Sequence, residues 1–74
     1  MSLRQLQTLV VIADAGSLNA AASRLSITQS AVSMQMKALE EDLQTPLFDR
    51  SRRPPTLREY TRPLIEQARH ILRL

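Results

Sequence analysis

The sequence contains no cysteine and no tryptophan, and it has only one glycine and one histidine among its 74 residues. The absence of cysteine excludes disulfide bonds, thiolate metal sites and thiol nucleophiles. A single glycine excludes a glycine-rich phosphate-binding loop. The one histidine, His70, has no second histidine or cysteine with which to hold a metal ion. No serine has a histidine and an acid at an interpretable spacing, so we expect no enzyme, no cofactor and no metal site.

Long apolar runs are absent as well. No stretch approaches the roughly 18 consecutive apolar residues that indicate a membrane span, and the first residues, Met-Ser-Leu-Arg-Gln, lack the features of a secretory signal peptide. We therefore expect a cytoplasmic location and no membrane partner. A chain of this length forms one domain at most and buries only about 60% of its unfolded surface. We expect further stability to come from dimerisation or from a larger parent protein.

Positive charge is concentrated in one short segment. Residues 1–49 carry three basic and five acidic side chains, whereas residues 50–62 carry five arginines and one glutamate. Arginine suits bidentate contacts with phosphate, so the asymmetry favours a polyanionic partner. The alternative is a solvated loop whose arginines only keep the protein in solution.

Three helices are predicted in the first two thirds of the chain, over residues 3–15, 18–25 and 29–43, because apolar residues recur there at helical spacing. Gly16 is a natural C-terminal stop for the first helix. The second and third helices are joined by the short turn Ser26-Ile27, and we expect Ile27 to fill the core under this turn. Two helices joined in this way predict a helix–turn–helix.

A short β-wing is predicted after the third helix. Two apolar steps, Leu47-Phe48 and Thr56-Leu57, flank a polar segment that is rich in arginine and contains Pro54-Pro55. The fold class is therefore mainly α: a winged helix–turn–helix with a three-helix core, a short two-stranded β-wing and a C-terminal helix.

The last helix is predicted to start near residues 59–61 and to run on to the end of the chain. Two N-caps are open to it, a capping box that begins at Thr56 or a cap at Thr61 that would leave Pro63 in the first turn. Its apolar stripe is larger than a small core needs, which favours a dimer helix. The stripe consists of Leu64, Ile65, Ala68, Ile71 and Leu72. We divide the chain into a winged helix–turn–helix domain, residues 1–58, and the start of a last helix, residues 59–74.

One set of residues resembles the N-terminal DNA-binding domain of LysR-type transcriptional regulators. The matching residues are Leu3, Leu6, Gly16-Ser17, Ala21-Ala22, Leu25, Gln29, Ala31-Val32-Ser33, Leu39-Glu40, Leu43, Leu47-Phe48, Arg50, Arg53 and Leu57. The resemblance implies a recognition helix that begins near Thr28, a wing near residues 50–55 and a linker helix that pairs in a homodimer. It further implies a separate domain after residue 74 that binds a small-molecule effector, so we expect the chain to be truncated.

The sequence departs from that family at three places. Gln44 stands where a glycine is frequent, so the third helix must end without one. Residues 58–61, Arg-Glu-Tyr-Thr, replace the usual Thr-x-Ala-Gly at the start of the linker helix. Met34 occupies a position that is often basic, which predicts either fewer charged contacts or an apolar contact with a thymine methyl group.

The recognition helix and the wing supply the candidate DNA-binding residues. For base readout we expect Gln29, Ser30, Ser33 and Met34, of which Gln29 suits a bidentate contact with adenine. For phosphate and wing contacts we expect Thr28, Lys37, Arg50, Arg52 and Arg53. Four alternatives stay open. Thr28 can be a plain N-cap, Gln29 a solvated residue and Ser30 a simple surface serine. Arg50 can be a strut paired with Glu40 or Asp49. The run Glu40-Glu41-Asp42 is expected to be a solvated acidic face.

The function that these features favour is sequence-specific binding of double-stranded DNA by a dimeric bacterial transcription regulator, at a site with dyad symmetry. The alternative is a helical protein-interaction module that does not bind DNA. The two hypotheses differ in whether Arg52 and Arg53 affect binding and in whether binding depends on salt.

Overall fold

The computed structural model describes residues 1–73 and confirms the predicted winged helix–turn–helix. Helix α1 spans Leu3–Ala15, α2 spans Leu18–Leu25 and α3 spans Gln29–Leu43, as the apolar spacing predicted. Strands β1 (Phe48–Asp49) and β2 (Thr56–Leu57) follow, then a short 3₁₀ turn, Glu59–Thr61, and helix α4, Arg62–Leu72. The last residue of the predicted linker range, Leu74, lies outside the described residues, and the boundary at residues 58/59 stays a prediction.

Each of the first three helices begins at a hydroxyl cap. Ser2 accepts a hydrogen bond from the backbone N–H of Gln5, whose side chain in turn accepts from the Ser2 amide, and this completes a capping box. The hydroxyl of Ser17 accepts from Ala20 N at the start of α2. These bonds satisfy amides that a helix start leaves without partners.

All three helices end in the left-handed backbone conformation, but only one of them uses glycine. Gly16 has φ 92°, whereas Ser26 and Gln44 have φ 57° and 51°. After Gln44, the amide of Thr45 donates to the carbonyl oxygen of Glu40 at 3.1 Å, which closes a Schellman-type end. A non-glycine residue costs about 1–2 kcal/mol in this conformation, so the bond helps to offset the cost of Gln44.

The core lies between α1, α2 and α3 and under β1. Leu9, Val32 and Leu39 are fully buried. Ala21 and Ala22 are also buried, and their small side chains allow α2 to approach its neighbours closely. The remaining members of the cluster are Ile12, Met36, Leu47, Phe48 and Ile65.

The prediction that Ile27 fills the core is wrong. Its side chain is 38% exposed and borders a shallow surface depression together with Arg4 and Gln35. The reason is the turn itself: Ser26 adopts the left-handed conformation and the amide of Ile27 bonds back to the carbonyl oxygen of Ala22. This geometry leaves the Ile27 side chain on the outer side of the turn.

The start of α4 is held by Pro46 and Leu47, the two residues just before strand β1, and not by either predicted cap. Neither the 3₁₀ turn nor α4 has a side-chain cap. The Thr61 hydroxyl is buried and donates to the carbonyl oxygen of Leu47 at 3.0 Å, and Tyr60 donates its hydroxyl to Pro46 O. Pro63 lies in the first turn of α4, where a missing amide donor costs least.

Helix α4 packs on α1, which changes the predicted dimer stripe. Ile65 is 6% and Ala68 1% exposed within one chain, so these two residues face the chain's own interior and are not free to pair with a second copy. Ile71 is 56% exposed, and Leu64 and Leu72 are half-buried. None of the helices in residues 1–73 has both the length and the apolar character needed to cross a membrane.

Candidate nucleic-acid interface

Helix α3 buries one side and leaves the opposite side to solvent. Val32, Met36 and Leu39 form its buried side. Four of the predicted readout and phosphate residues on α3 are exposed, and Ser33 is half-buried. The exposed four are Gln29, Ser30, Met34 and Lys37.

This exposed side of α3 faces the wing across an open cleft of about 580 Å³. The residues that border the cleft come from α2, α3, β1 and the loop between the strands, which we call the wing loop (residues 50–55). They are Leu18, Gln29, Ser30, Ser33, Met34, Met36, Lys37, Phe48, Arg50 and Pro55. All four predicted readout residues are therefore brought together, with Lys37 and Arg50 beside them, whereas Thr28, Arg52 and Arg53 lie outside this cleft.

The N-terminus of α3 is capped by Thr28. Its hydroxyl oxygen accepts from Ala31 N at 3.0 Å, as the plain-cap alternative predicted. Thr28 is exposed, and the amides of Gln29 and Ser30 have no acceptor among residues 1–73. A helix N-terminus carries a partial positive charge and free amides, so this end of α3 is suited to an anion such as phosphate.

The wing is tied to α3 by an ion pair between Arg50 and Glu40. Arg50 donates two hydrogen bonds to the Glu40 carboxylate, of 2.7 Å and 3.0 Å. The guanidinium also lies 5.7 Å from the centre of the Phe48 ring. Arg50 is therefore the strut that one alternative predicted, and its contact with DNA stays a prediction.

The expectation that the run Glu40-Glu41-Asp42 is a solvated acidic face is wrong for Glu40. Its side chain is only 10% exposed, and besides Arg50 it accepts from the backbone amides of Leu47 and Phe48 at 2.6 and 3.3 Å. Partial burial raises the pKa of the Glu40 carboxyl, but the hydrogen bonds from Arg50 and from these amides outweigh burial and lower the pKa below 4.5. Glu40 is thus ionised at neutral pH and fixes the root of the wing.

The two remaining wing arginines differ in their partners. Arg52 is 72% exposed and its Nε lies 3.9 Å from Asp49, which is a loose, solvent-screened pair. Asp49 also accepts from the amide and hydroxyl of Ser51, and these bonds hold the pKa of its carboxyl below the ordinary value. Arg53 is exposed and makes no ion pair with any residue in the described range. Among the three wing arginines, its charge is the one most available to a polyanion.

Several residues that shape the interface were not predicted from the sequence. Leu18 and Pro55 border the cleft, and Arg58 donates from Nε to the carbonyl oxygen of Phe48 at 3.2 Å. The signal for Arg58 was its position at the start of the segment that departs from the family pattern. No periodicity could have indicated Leu18 or Pro55, because their roles depend on how α2 and the wing loop lie against α3.

The chain is similar to known bacterial regulators over its whole length. A family model described as "Bacterial regulatory helix-turn-helix protein, lysR family" matches residues 3–62. The HTH-type transcriptional regulator TcbR of a Pseudomonas species is 42% identical over 74 residues, which is 100% of this chain and 25% of TcbR. ClcR of Pseudomonas putida, also an HTH-type transcriptional regulator, is 39% identical over 72 residues, which is 97% of this chain and 24% of ClcR. The chain thus spans about a quarter of the length of these relatives.

A solved structure described as the CbnR_DBD-DNA complex has the same fold. It superposes with a TM-score of 0.88 and is 42% identical, over 97% of this chain and 83% of the solved chain. The architecture that forms the cleft between α3 and the wing is therefore one that occurs in a chain crystallised with DNA.

Proposed function

Because the chain belongs to the LysR family of bacterial regulatory helix-turn-helix proteins, we propose that it binds double-stranded DNA sequence-specifically by placing α3 in the major groove and the wing loop beside it. The chain acts as the DNA-binding part of a transcription regulator and is not an enzyme. The observation that carries the proposal is the cleft in which the exposed side of α3 adjoins the wing. Helices of this kind read base edges with residues near their N-terminus.

The side chains in the cleft have the chemistry that base edges require. Gln29 is exposed in the first turn of α3, where an amide can make two hydrogen bonds with N6 and N7 of adenine. Ser30 and Ser33 are short, so they allow close approach and can bond to a base or a phosphate. Lys37 lies two turns into the helix, where a phosphate is the nearer partner.

Phosphate contacts fix the position of the protein on the duplex. The α3 N-terminus at Thr28 takes one phosphate through its free amides. Arg52 and Arg53 project from the wing loop, where a narrow minor groove attracts arginine. Because such contacts release counterions, they make affinity fall with salt.

The active unit is a homodimer formed through α4. The available apolar surface on this helix is Leu64, Ile71 and Leu72, since Ile65 and Ala68 are used within the chain. Two copies related by a two-fold axis place two α3 helices on one face of the duplex, so the site has dyad symmetry. The relatives are longer than this chain, and a small-molecule effector would bind to a further domain within that additional length.

The experiment that tests the proposal is selection from random duplexes, followed by fluorescence-anisotropy titration of the selected and a scrambled duplex at about 50 and about 200 mM salt. We expect enrichment of a dyad sequence. With about six phosphate contacts, affinity should fall about a thousandfold between the two salt concentrations. Absence of enrichment together with salt-independent binding would contradict the proposal and favour the protein-interaction module.

A further inference from the structure

One large apolar side chain stands on the exposed side of α3. Met34 is 71% exposed, the largest fraction among the exposed large hydrophobic residues that the structure describes. Its neighbours along this side are Ser30, Ser33 and Lys37, which are polar and border the same cleft. A single exposed apolar residue is ordinary on a protein surface, so its position on the helix must decide what it does.

Met34 lies on the part of α3 that is farthest from the core. At 3.6 residues per turn it is roughly 170° around the helix axis from the mean direction of the buried side chains of α3. It is also in the second turn, within the N-terminal half that enters the groove in helix–turn–helix proteins. With α3 in the major groove, Met34 is therefore directed at the base edges on the groove floor.

The chemistry of the thioether restricts what it can contact there. Methionine has no hydrogen-bond donor and only a weak acceptor. Against a guanine, cytosine or adenine edge it would displace water from polar groups and leave them without partners, which is unfavourable. The C5 methyl group of thymine is the one apolar group that the four bases present in the major groove.

We propose that Met34 is a specificity-determining residue that packs on the methyl group of one thymine in each half-site. This inference rests on the proposed function, since it requires α3 to lie in the major groove. It has a second consequence. Because 5-methylcytosine carries the same methyl group at the same ring position, binding should also respond to cytosine methylation at this one position.

The test removes the methyl group and leaves the base pair intact. In the selected duplex each thymine is replaced singly by deoxyuridine, which keeps every hydrogen bond of the pair. We expect one thymine in each half-site at which this change weakens binding about fourfold, the effect of one apolar carbon withdrawn from contact. In the Met34→Ala variant, thymine and deoxyuridine should bind equally at that position.

Two further variants separate apolar contact from mere bulk. Met34→Leu keeps an apolar side chain of similar volume and should retain the preference for thymine over deoxyuridine. Met34→Gln keeps the length but is polar, and it should lose that preference. In a duplex with cytosine at the same position, C5 methylation should strengthen binding about fourfold to the unsubstituted protein and should have no effect on Met34→Ala.

The matched control is Leu3→Ala, which removes an apolar side chain that is 62% exposed on α1, outside the cleft. It should show the same response to deoxyuridine as the unsubstituted protein, and circular dichroism should show the same helical content for all variants. If no thymine has an effect that Met34→Ala abolishes, the role of Met34 is overturned while DNA binding stands. If selection enriches no sequence, the proposed function and this inference fail together.

Discussion

Glu40 and Arg50 join α3 to the wing through two hydrogen bonds, of 2.7 Å and 3.0 Å, between one carboxylate and one guanidinium. The same carboxylate accepts from the amides of Leu47 and Phe48. The helix that carries the readout side chains therefore also fixes the strand from which the wing loop extends. A substitution at Glu40 should therefore loosen the wing, although Glu40 itself does not border the cleft.

The first prediction is that Glu40→Gln loosens the wing. A neutral amide cannot accept charge-assisted bonds from Arg50, and one of its two acceptor positions becomes a donor. Because Arg50 is itself 47% exposed and screened by solvent, we expect a loss of only about 1–2 kcal/mol in the free energy of unfolding. Urea denaturation measures the loss, and anisotropy should show weaker DNA binding.

The control for this variant is Glu41→Gln, which removes the same charge from the next residue, where the side chain is exposed. It should change the free energy of unfolding by less than about 0.5 kcal/mol. Equal losses for the two variants would mean that net charge, and not the bond to Arg50, is responsible.

The second prediction concerns acid. The pKa of Glu40 in the folded chain is lowered below 4.5, with the bonds from Arg50 and the Leu47 amide outweighing the effect of burial. A lowered folded-state pKa adds stability that is complete above pH 4.5 and is lost as the pH falls through the folded pKa. The difference between the unsubstituted chain and Glu40→Gln should therefore be constant near neutral pH and shrink below pH 4.5. Urea midpoints measured from about pH 7 to about pH 3 test this; a difference that persists undiminished in acid would contradict it.

The third prediction concerns the position of α4. Arg69 donates two hydrogen bonds, of 2.7 and 3.2 Å, to Asp14 in the last turn of α1. The hydrogen bond from Arg69 lowers the pKa of the Asp14 carboxyl, which keeps the pair ionised. Both side chains are partly exposed, at 40% and 45%, so the pair positions the helix more than it stabilises the fold.

Arg69→Gln should therefore raise amide hydrogen-exchange rates in α4 by a few-fold at most and leave those in α3 unchanged. The matched control is Arg62→Gln, which removes an arginine from the same helix whose partner, Glu59, lies only three residues away. This control should leave exchange in the rest of α4 unchanged. Equal effects of the two variants would argue against a specific role for the Asp14–Arg69 pair.

Much of the fold could be predicted because the helices are specified locally. The bounds of α1, α2 and α3 follow from apolar spacing and from caps such as Ser17, whose bonds lie within one turn. The start of α4 could not be predicted in this way. The hydroxyl of Thr61 donates to the carbonyl oxygen of Leu47, which lies fourteen residues earlier in the sequence. This contact depends on how the chain before β1 packs against α4, and local sequence does not specify that packing.

The candidate site likewise has features that the local sequence predicts and features that depend on packing. That Ser30 and Met34 share the exposed side of α3 follows from helical periodicity once the buried side is identified. Gln29 is exposed because it is the first residue of the helix. The partners of the charged residues do not follow from periodicity. From the sequence, Arg50 could contact either DNA or a carboxylate. Only the packing of β1 against α3 brings Glu40 within reach of Arg50.

The fourth prediction is that Arg53→Ala weakens binding to all duplexes about equally. Arg53 is exposed in the wing loop and has no carboxylate partner among residues 1–73, so its charge is free to meet a phosphate. Removing one phosphate contact should reduce the slope of log affinity against log salt by about 1. Anisotropy titrations over a salt series measure the slope. An unchanged slope would exclude Arg53 from the phosphate contacts.

The fifth prediction is that Gln29→Ala relaxes the base preference at one position of each half-site. Gln29 is the first residue of α3 and borders the cleft, and a bidentate contact with adenine engages one base pair. Loss of a bidentate contact with adenine should reduce discrimination at that pair by about 1–3 kcal/mol and leave the other positions unchanged. Selection from random duplexes with both proteins tests this position by position.

The control is Gln44→Ala, which changes an exposed glutamine at the end of α3 and outside the cleft. Because Gln44 has a positive φ, the folded state of this variant should be verified first. If Gln29→Ala keeps the full sequence preference, Gln29 is a solvated residue and recognition depends on the other side chains of α3.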